Sequence, residues 1–436
     1  MQRVEAAAPD SASVKAAMKL AKPGPWSDVG VSGDLVWGSC QGSGKKPYQV
    51  SIDSAGPAYK CSCPSRKFPC KHALALLFLW AQGHINESGE IASFASSWAE
   101  DREARAAKAA AKKETAEKPK TPEQIEKQKQ AAAARAAQRE EWVSQGLADL
   151  DRFLADQVRE GLAANTADRP QRLQQVAARM VDAQAGAVSN WLHEVSYLPQ
   201  TDDWPTKLLD EYALLHLLVS GWQRRDELPE PLVQTIRSRI GFITKTEDVL
   251  KIPGVRDNWV VIGMVDADED LVSVRKVWLW GKNTNNRALV LFFSRGREGL
   301  DSSLYPGLEL DAELHFYPGN LKLRAVVGNK YQEIPRAVNW QLPGEQVSTA
   351  ISQLRSAIAA DPWVAGWPVA VRGNLVHNKK GFWLLAETGL KLSGTETDSW
   401  QLLAEAGSAE IVVLGELSSE GLRPLCYLVD GEVRVL

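Results

Sequence analysis

Apolar positions along the chain change their period several times, and each change predicts a different kind of element. Val14–Leu20 predicts a short helix. Between Gly33 and Tyr59 the pattern is strand-like: Leu35-Val36-Trp37 is a short apolar run, Tyr48-Gln49-Val50-Ser51-Ile52 alternates, and Gln41-Gly42-Ser43-Gly44 supplies a turn, predicting a β-hairpin. Ala73–Ala81 is apolar nearly throughout and predicts a buried helix, with Gly83 as its stop. Residues 99–140 are Ala, Lys, Glu, Arg and Gln with almost nothing to bury, broken at Pro119 and Pro122; Thr121, Pro122 and Gln124 resemble a helix start. Leu147, Leu150, Phe153, Leu154 and Val158, then Leu173, Val176, Met180, Val181, Val188, Trp191, Leu192 and Val195, keep helical spacing. Leu208–Trp222 is apolar on nearly all sides and predicts a central buried helix.

From about residue 256 the period becomes that of strands. Trp259-Val260-Val261-Ile262, Val277-Trp278-Leu279-Trp280 and Leu289–Phe293 are strand-like, and Leu310–Tyr317 and Leu321–Val327 flank the turn Pro318-Gly319-Asn320. Val347, Ile351, Leu354 and Ile358 mark one amphipathic helix, after which 363–436 returns to short strands separated by glycine. The fold class expected is α+β and multi-domain. Its parts are a lead segment 1–33, a small hairpin/helix module 34–95, a charged helical linker 96–140, a helical domain 141–247, a β-rich domain 248–345 and a C-terminal β-rich domain 346–436 with one leading helix.

Composition alters this picture little. The 436 residues are 44% hydrophobic and 24% charged, as in ordinary globular proteins. The net charge of −3 is uneven: residues 1–140 carry 21 Lys and Arg against 15 Asp and Glu, and the remainder 30 against 39. Only the N-terminal third favours an anionic partner. Most of the sixteen Trp lie beyond residue 190 and are read as packing anchors. The N-terminus has no apolar signal core and no apolar run reaches about 18 residues, so a cytoplasmic protein with no membrane partner is expected.

Cysteine carries the chemistry. Of Cys40, Cys61, Cys63, Cys70 and Cys426, three fall within ten residues, in Cys61-x-Cys63, six residues, Cys70-x-His72. On a strand, positions i and i+2 share a face, so Cys61 and Cys63 can reach one ion. Within a helix, i and i+2 diverge, which predicts Cys70 just before the helix and His72 in its first turn, with Pro64 ending the strand and Pro69 leading into the helix. Three thiolates and one imidazole make a closed tetrahedral site for one structural Zn²⁺; catalytic zinc keeps a position open. Lys45, Lys46, Lys60, Arg66, Lys67 and Lys71 surround it. Two readings of them are open: they balance the charge of the zinc thiolates, or they form a phosphate-binding face.

This pattern resembles the SWIM zinc finger family over residues 34–82, and Cys61, Cys63, Cys70 and His72 occupy its four ligand positions. Val36-Trp37-Gly38, Gly42-Ser43-Gly44, Pro47-Tyr48 and the segment from Cys61 to Leu76 are similar to a bacterial branch of that family, as is Val277-Trp278-Leu279-Trp280-Gly281. The resemblance implies zinc binding and a role in DNA or protein interaction. It also implies partnership with MoxR-type AAA ATPases or von Willebrand A-type proteins. The chain itself has no P-loop and no D-x-S-x-S motif.

Signs of catalysis are few. G-x-S-x-G, H-E-x-x-H and G-x-G-x-x-G are absent. Asp266, Asp268, Glu269 and Asp270 are read as a solvated turn, His193 and His216 as structural, and His315 and His377 lie near strands without an identifiable nucleophile. The leading expectation is a zinc-binding, non-enzymatic protein-interaction adaptor. The alternatives are a nucleic-acid-binding protein using the six basic residues, or a hydrolase with an unrecognised site in the β-rich region.

Overall fold

The computed structural model describes residues 4–5, 7–8, 11–42, 46–55, 58–65, 67–116, 122–162, 168–199, 201–269, 272–295 and 300–436. Ser43, Gly44, Lys45, Arg66, Thr121 and Asp270, all used in the sequence reading, lie outside this set.

The chain opens with helix α1 (Ser11–Leu20) and strands β1 (Trp26–Ser32), β2 (Leu35–Cys40), β3 (Tyr48–Asp53) and β4 (Ala58–Cys61), followed by helix α2 (Lys71–Ala81). The strands form one antiparallel meander in the order β1-β2-β3-β4. Helix α2 lies between this sheet and α1. Leu76, Leu77 and Leu79 join the sheet core of Val36, Val50 and Ile52, while Leu74, Ala75 and Phe78 pack with Ala17 and Ala21. Two-sided packing explains why α2 is apolar all round. It also corrects the boundary at residue 33. The lead segment is part of the module, because β1 pairs with β2 from Trp26↔Cys40 to Ser32↔Leu35 and α1 supplies the second face of α2. The interruption Asp28-Val29-Gly30, where the register shifts, hides β1 from a period-two reading.

Helix α3 (Ser93–Ala116) starts within the module: Ala95 and Trp98 are buried, and Arg102 meets Asp53 at 3.0 Å. Helix α4 (Pro122–Glu160) then runs through residue 140 without interruption, so no boundary falls there in the backbone. The helical core forms where α4 meets α5 (Arg169–Asp182), α6 (Gly186–Ser196), α7 (Trp204–Gln223) and α8 (Glu230–Ile240), around Leu147, Leu150, Leu173, Leu192, Leu215 and Trp222. Its edge on α4 is set by a latch. Arg139 donates to the carbonyls of Gln184 and Gly241, and Glu140 pairs with Arg237 at 2.6 Å. The guanidinium groups of Arg139 and Arg237 both lie about 4 Å from the Phe242 ring centre. Helix α7 is not buried on all sides: Leu209, His216 and Leu217 face outward, and His216 holds Asp151 of α4 at 2.6 Å. Val158 and Val181 are exposed as well, although their spacing matches the core positions.

After the short helix α9 (Thr246–Val249) come β5 (Val255–Glu269), β6 (Val272–Gly281), β7 (Arg287–Arg295), β8 (Glu309–Phe316) and β9 (Arg324–Ile334). They close into a barrel in the order β5-β6-β7-β9-β8, antiparallel except for the β7–β9 pair. This first-second-third-fifth-fourth order is the connectivity of an OB barrel. The acidic run is therefore not a turn as far as Glu269. Asp266 lies within β5 and takes both 2.7 Å bonds of Arg275, a buried guanidinium that also donates to the Asp301 carbonyl. Buried Asp257 accepts from the backbone and side chains of Asn283 and Thr284, pinning the turn after β6. Gly281 is glycine because a Cβ there would sit 2.4 Å from the Asp257 carboxylate.

The final unit is helix α10 (Val347–Ala360), β10 (Trp367–Asn378), β11 (Gly381–Leu385) and β12 (Gly389–Lys391), then α11 (Glu396–Ala406), β13 (Glu410–Ser418), β14 (Gly421–Val429) and β15 (Glu432–Val435). The helix-plus-three-strand unit thus occurs twice. Its copies join through the antiparallel β10–β13 pair in a sheet ordered β12-β11-β10-β13-β14-β15. Both helices cover one face, around Val369, Val371, Leu402 and Val413. The other face meets the barrel: Val260, Ile262, Trp278 and Trp280 pack against Ala370, Leu414, Leu425 and Leu428. Gly263, at a bulge in β5, permits this approach, since a Cβ there would meet Leu425 at 2.6 Å.

Trp278 is buried in that interface and its indole N–H has no partner among the described residues. Trp278→Phe should therefore cost only about 1 kcal/mol, because removing an unpaired buried donor offsets part of the lost area. Trp278→Ala should cost about 3–5 kcal/mol. Hydrogen exchange on β6 and β14 reads the difference; equal loss of protection in the two variants would contradict this packing.

Candidate zinc centre

The end of one strand and the start of one helix build the site. Cys61 is the last residue of β4 and pairs with Val50. The strand ends here, earlier than Pro64, but the chain stays tied to β3 for one more residue: Ser62 donates its N–H to the Gln49 carbonyl at 3.0 Å, and its hydroxyl accepts from the Gln49 N–H. Cys63 follows just beyond. Cys70 is the extended residue that precedes α2, its carbonyl accepting from the Leu74 N–H, and His72 is in the first turn.

The three sulfurs and one imidazole nitrogen lie within 4.8 Å of one another, with Cys61 Sγ and His72 Nδ1 at 3.9 Å. Cys70 and His72 are buried; Cys61 and Cys63 are half-buried. The Tyr48 ring lies against the His72 imidazole, centres 4.8 Å apart, and restricts its orientation. Hydrogen bonding from Cys61, then from His72 and the Ala73 N–H, holds the Cys70 thiol down at about 4. Cys61 is raised, chiefly by its hydrogen bond to Cys70, and Cys63 is raised by burial. Within the metal-free cluster the proton is thus lost most readily from Cys70 and less readily from Cys61 and Cys63.

Four soft donors converging at this scale fit one tetrahedral Zn²⁺ closed by protein ligands, with Cys61, Cys63, Cys70 and His72 as the complete set. When bound, the ion supplies a cross-link between β4 and α2. The other two cysteines stand apart from this set: Cys40 is buried beside the site and raised by burial, and Cys426 lies in the interface between barrel and sheet.

The basic residues separate into groups. Lys67 and Lys71 line a cleft of about 360 Å³ beside the zinc ligands, bounded by Tyr48, His72 and Ser13 of α1. Lys46 and Lys60 are exposed and do not line that cleft, and Lys45 and Arg66 lie outside the described residues. From sequence, Tyr48 belongs to a strand and α1 is a separate helix, with neither assigned to the site; an aromatic residue thirteen positions before Cys61 carries no metal-spacing signal. Elsewhere, His315 Nδ1 donates to the Ile252 carbonyl at 2.6 Å, and the ring is enclosed by Gly254 and Gly328. His377 packs on Phe382 and Trp400. Among the described residues, no other group of three or more His, Cys, Asp or Glu side chains is arranged to hold a metal.

Zinc uptake at neutral pH should release protons, because the ion binds thiolates and the Cys61 and Cys63 thiols are both held above the ordinary thiol range. Titration of metal-free protein in a weak buffer of known capacity measures this. Cys61→Ser should retain less than one zinc per chain after dialysis, and uptake of zinc without proton release would contradict the assignment.

Two family models match the chain. Residues 48–80 match the SWIM zinc finger, and residues 138–240 match the SWIM-associated four-helix bundle domain. The first match contains all four ligands, and the second begins at the Arg139 latch. No curated protein and no solved structure shows significant similarity to this chain. The closed Cys3His tetrad and the two matched regions together make this a zinc-binding SWIM domain-containing protein.

Proposed function

We infer that the chain is a non-enzymatic adaptor whose zinc-fixed N-terminal module presents a surface to a protein partner. The observation that supports this most is the closure of the donor set: with four protein ligands there is no position for substrate or water, so the metal stabilises shape. The shape it fixes is a sheet, a buried helix and a second helix over it, with the ligands at the rim beside the cleft. The resemblance noted in the sequence favours a MoxR-type AAA ATPase or a von Willebrand A-type protein as that partner. Affinity purification from the native host, with wild type and Cys61→Ser compared at equal expression, tests the reading. One of these two partner types should be retained by wild type and lost with the variant. An interaction set that is the same for both proteins would overturn it.

The cleft that holds Lys67 and Lys71 favours a second reading, nucleic-acid binding through phosphate. In that case affinity for DNA or RNA should fall steeply with salt, and Lys67→Ala with Lys71→Ala should weaken binding by about tenfold or more. Absence of binding at low salt removes this reading.

A further inference from the structure

The barrel is closed on four of its seams and splayed on the fifth. Strand β7 pairs with β6 along its whole length, from Arg287 to Arg295. Towards β9 it pairs only at Leu289↔Arg324 and Val290↔Ala325, after which the two strands diverge. The Leu289 N–H donates to the Leu323 carbonyl on that side. Along a strand, peptide groups alternate in direction, so those of Leu291 and Phe293 also point into the seam. The parallel Val290↔Ala325 pair still joins the Leu291 N–H to the Ala325 carbonyl, but no pairing between described residues of β7 and β9 continues beyond it, which leaves the Leu291 carbonyl and the Phe293 peptide group facing the seam. The seam therefore offers a short free strand edge.

Side chains around that edge are equally short of partners. Phe293, on the outer surface of β7, is 57% exposed. On the inner side is a cavity of about 310 Å³, lined by Val290, Phe292, Leu304 and Val327, with Arg324 and Tyr317 at one end. Arg324 lies 4.3 Å over the Tyr317 ring and has no carboxylate partner among the described residues. The outer face of β6, by contrast, is already used: Trp278 and Trp280 are buried against the C-terminal sheet.

We propose that the β7–β9 seam binds an extended peptide segment of a partner protein, which adds as a strand to the free edge of β7. One set of its alternating side chains is apolar and enters the cavity, the other covers Phe293, and an acidic residue meets Arg324. The Leu291 carbonyl and the Phe293 N–H, an acceptor and a donor two residues apart on one edge, match the N–H and C=O of one residue of an added polypeptide strand, whereas a nucleic-acid strand has no such backbone pair. The unpaired guanidinium adds charge complementarity to an acidic residue. This goes beyond the adaptor reading of the zinc module; it concerns a different surface and stands whether or not the module binds a partner.

The test uses the full zinc-loaded chain and a phage-displayed library of random twelve-residue peptides, depleted beforehand on the double variant Phe293→Ala, Arg324→Ala. Both side chains lie at the surface of the seam, and circular dichroism checks that the variant is folded. Enriched peptides should alternate apolar residues and carry at least one Asp or Glu. A synthetic peptide should lose about tenfold in affinity against Arg324→Ala, the loss expected for one charge-assisted bond. N-methylation at alternate peptide amides should abolish binding in one parity and spare it in the other. Failure to enrich any peptide over the double variant, or binding that is indifferent to the parity of N-methylation, overturns the proposal.

Discussion

Cys61 and Cys63 at the end of a four-residue strand and Cys70 and His72 at the start of a helix meet across a short, proline-containing connection that has no core of its own. A link of this kind cannot hold its geometry by burial alone. The sheet above it is small, and α2 packs on both the sheet and α1. Fixing the first turn of α2 to the end of β4 therefore fixes the two halves of the module core together. The same cross-link positions Lys67, Lys71 and Tyr48 around the cleft. Any surface this module offers depends on the tetrad.

A second constraint governs the C-terminal half. The barrel and the six-stranded sheet share one apolar layer in which Trp278, Trp280 and Trp340 lie beside Leu414 and Leu425. The indoles of Trp280 and Trp340 meet edge-on at 6.3 Å, and Arg287 lies 3.9 Å over Trp280. The tryptophans are thus structural, as their chemistry suggested. The helical bundle is tied in by several bonds, among them the ion pair of Arg239 on α8 with Asp361 at 2.6 Å. The loop after β8 places the Asn320 N–H on Thr235 of α8, and the Trp363 indole donates to the Leu214 carbonyl of α7.

Much of this was legible in the sequence, for identifiable reasons. The ligand spacing dictated where strand and helix must lie around the zinc, because i and i+2 share a face only in extended chain. Helix α2 and the strands around Trp259, Trp278 and Leu310 were clear from their apolar runs. What the sequence hid were features set by distant partners. Strand β1 is broken at Asp28-Val29-Gly30 and is defined by pairing with β2. Asp266 reads as part of a solvated acidic turn until Arg275, nine residues away, is seen on the adjacent strand. Leu209 and Leu217 look like core residues but face outward, and the duplication of the helix-plus-three-strand unit leaves no fixed sequence period.

The central claim is a closed, purely structural zinc site. X-ray absorption at the zinc K-edge of the purified, chelator-free protein tests it most directly. The account predicts three sulfurs at about 2.3 Å and one nitrogen at about 2.0 Å with no oxygen ligand. A zinc-bound oxygen, or fewer than three sulfurs, would contradict it.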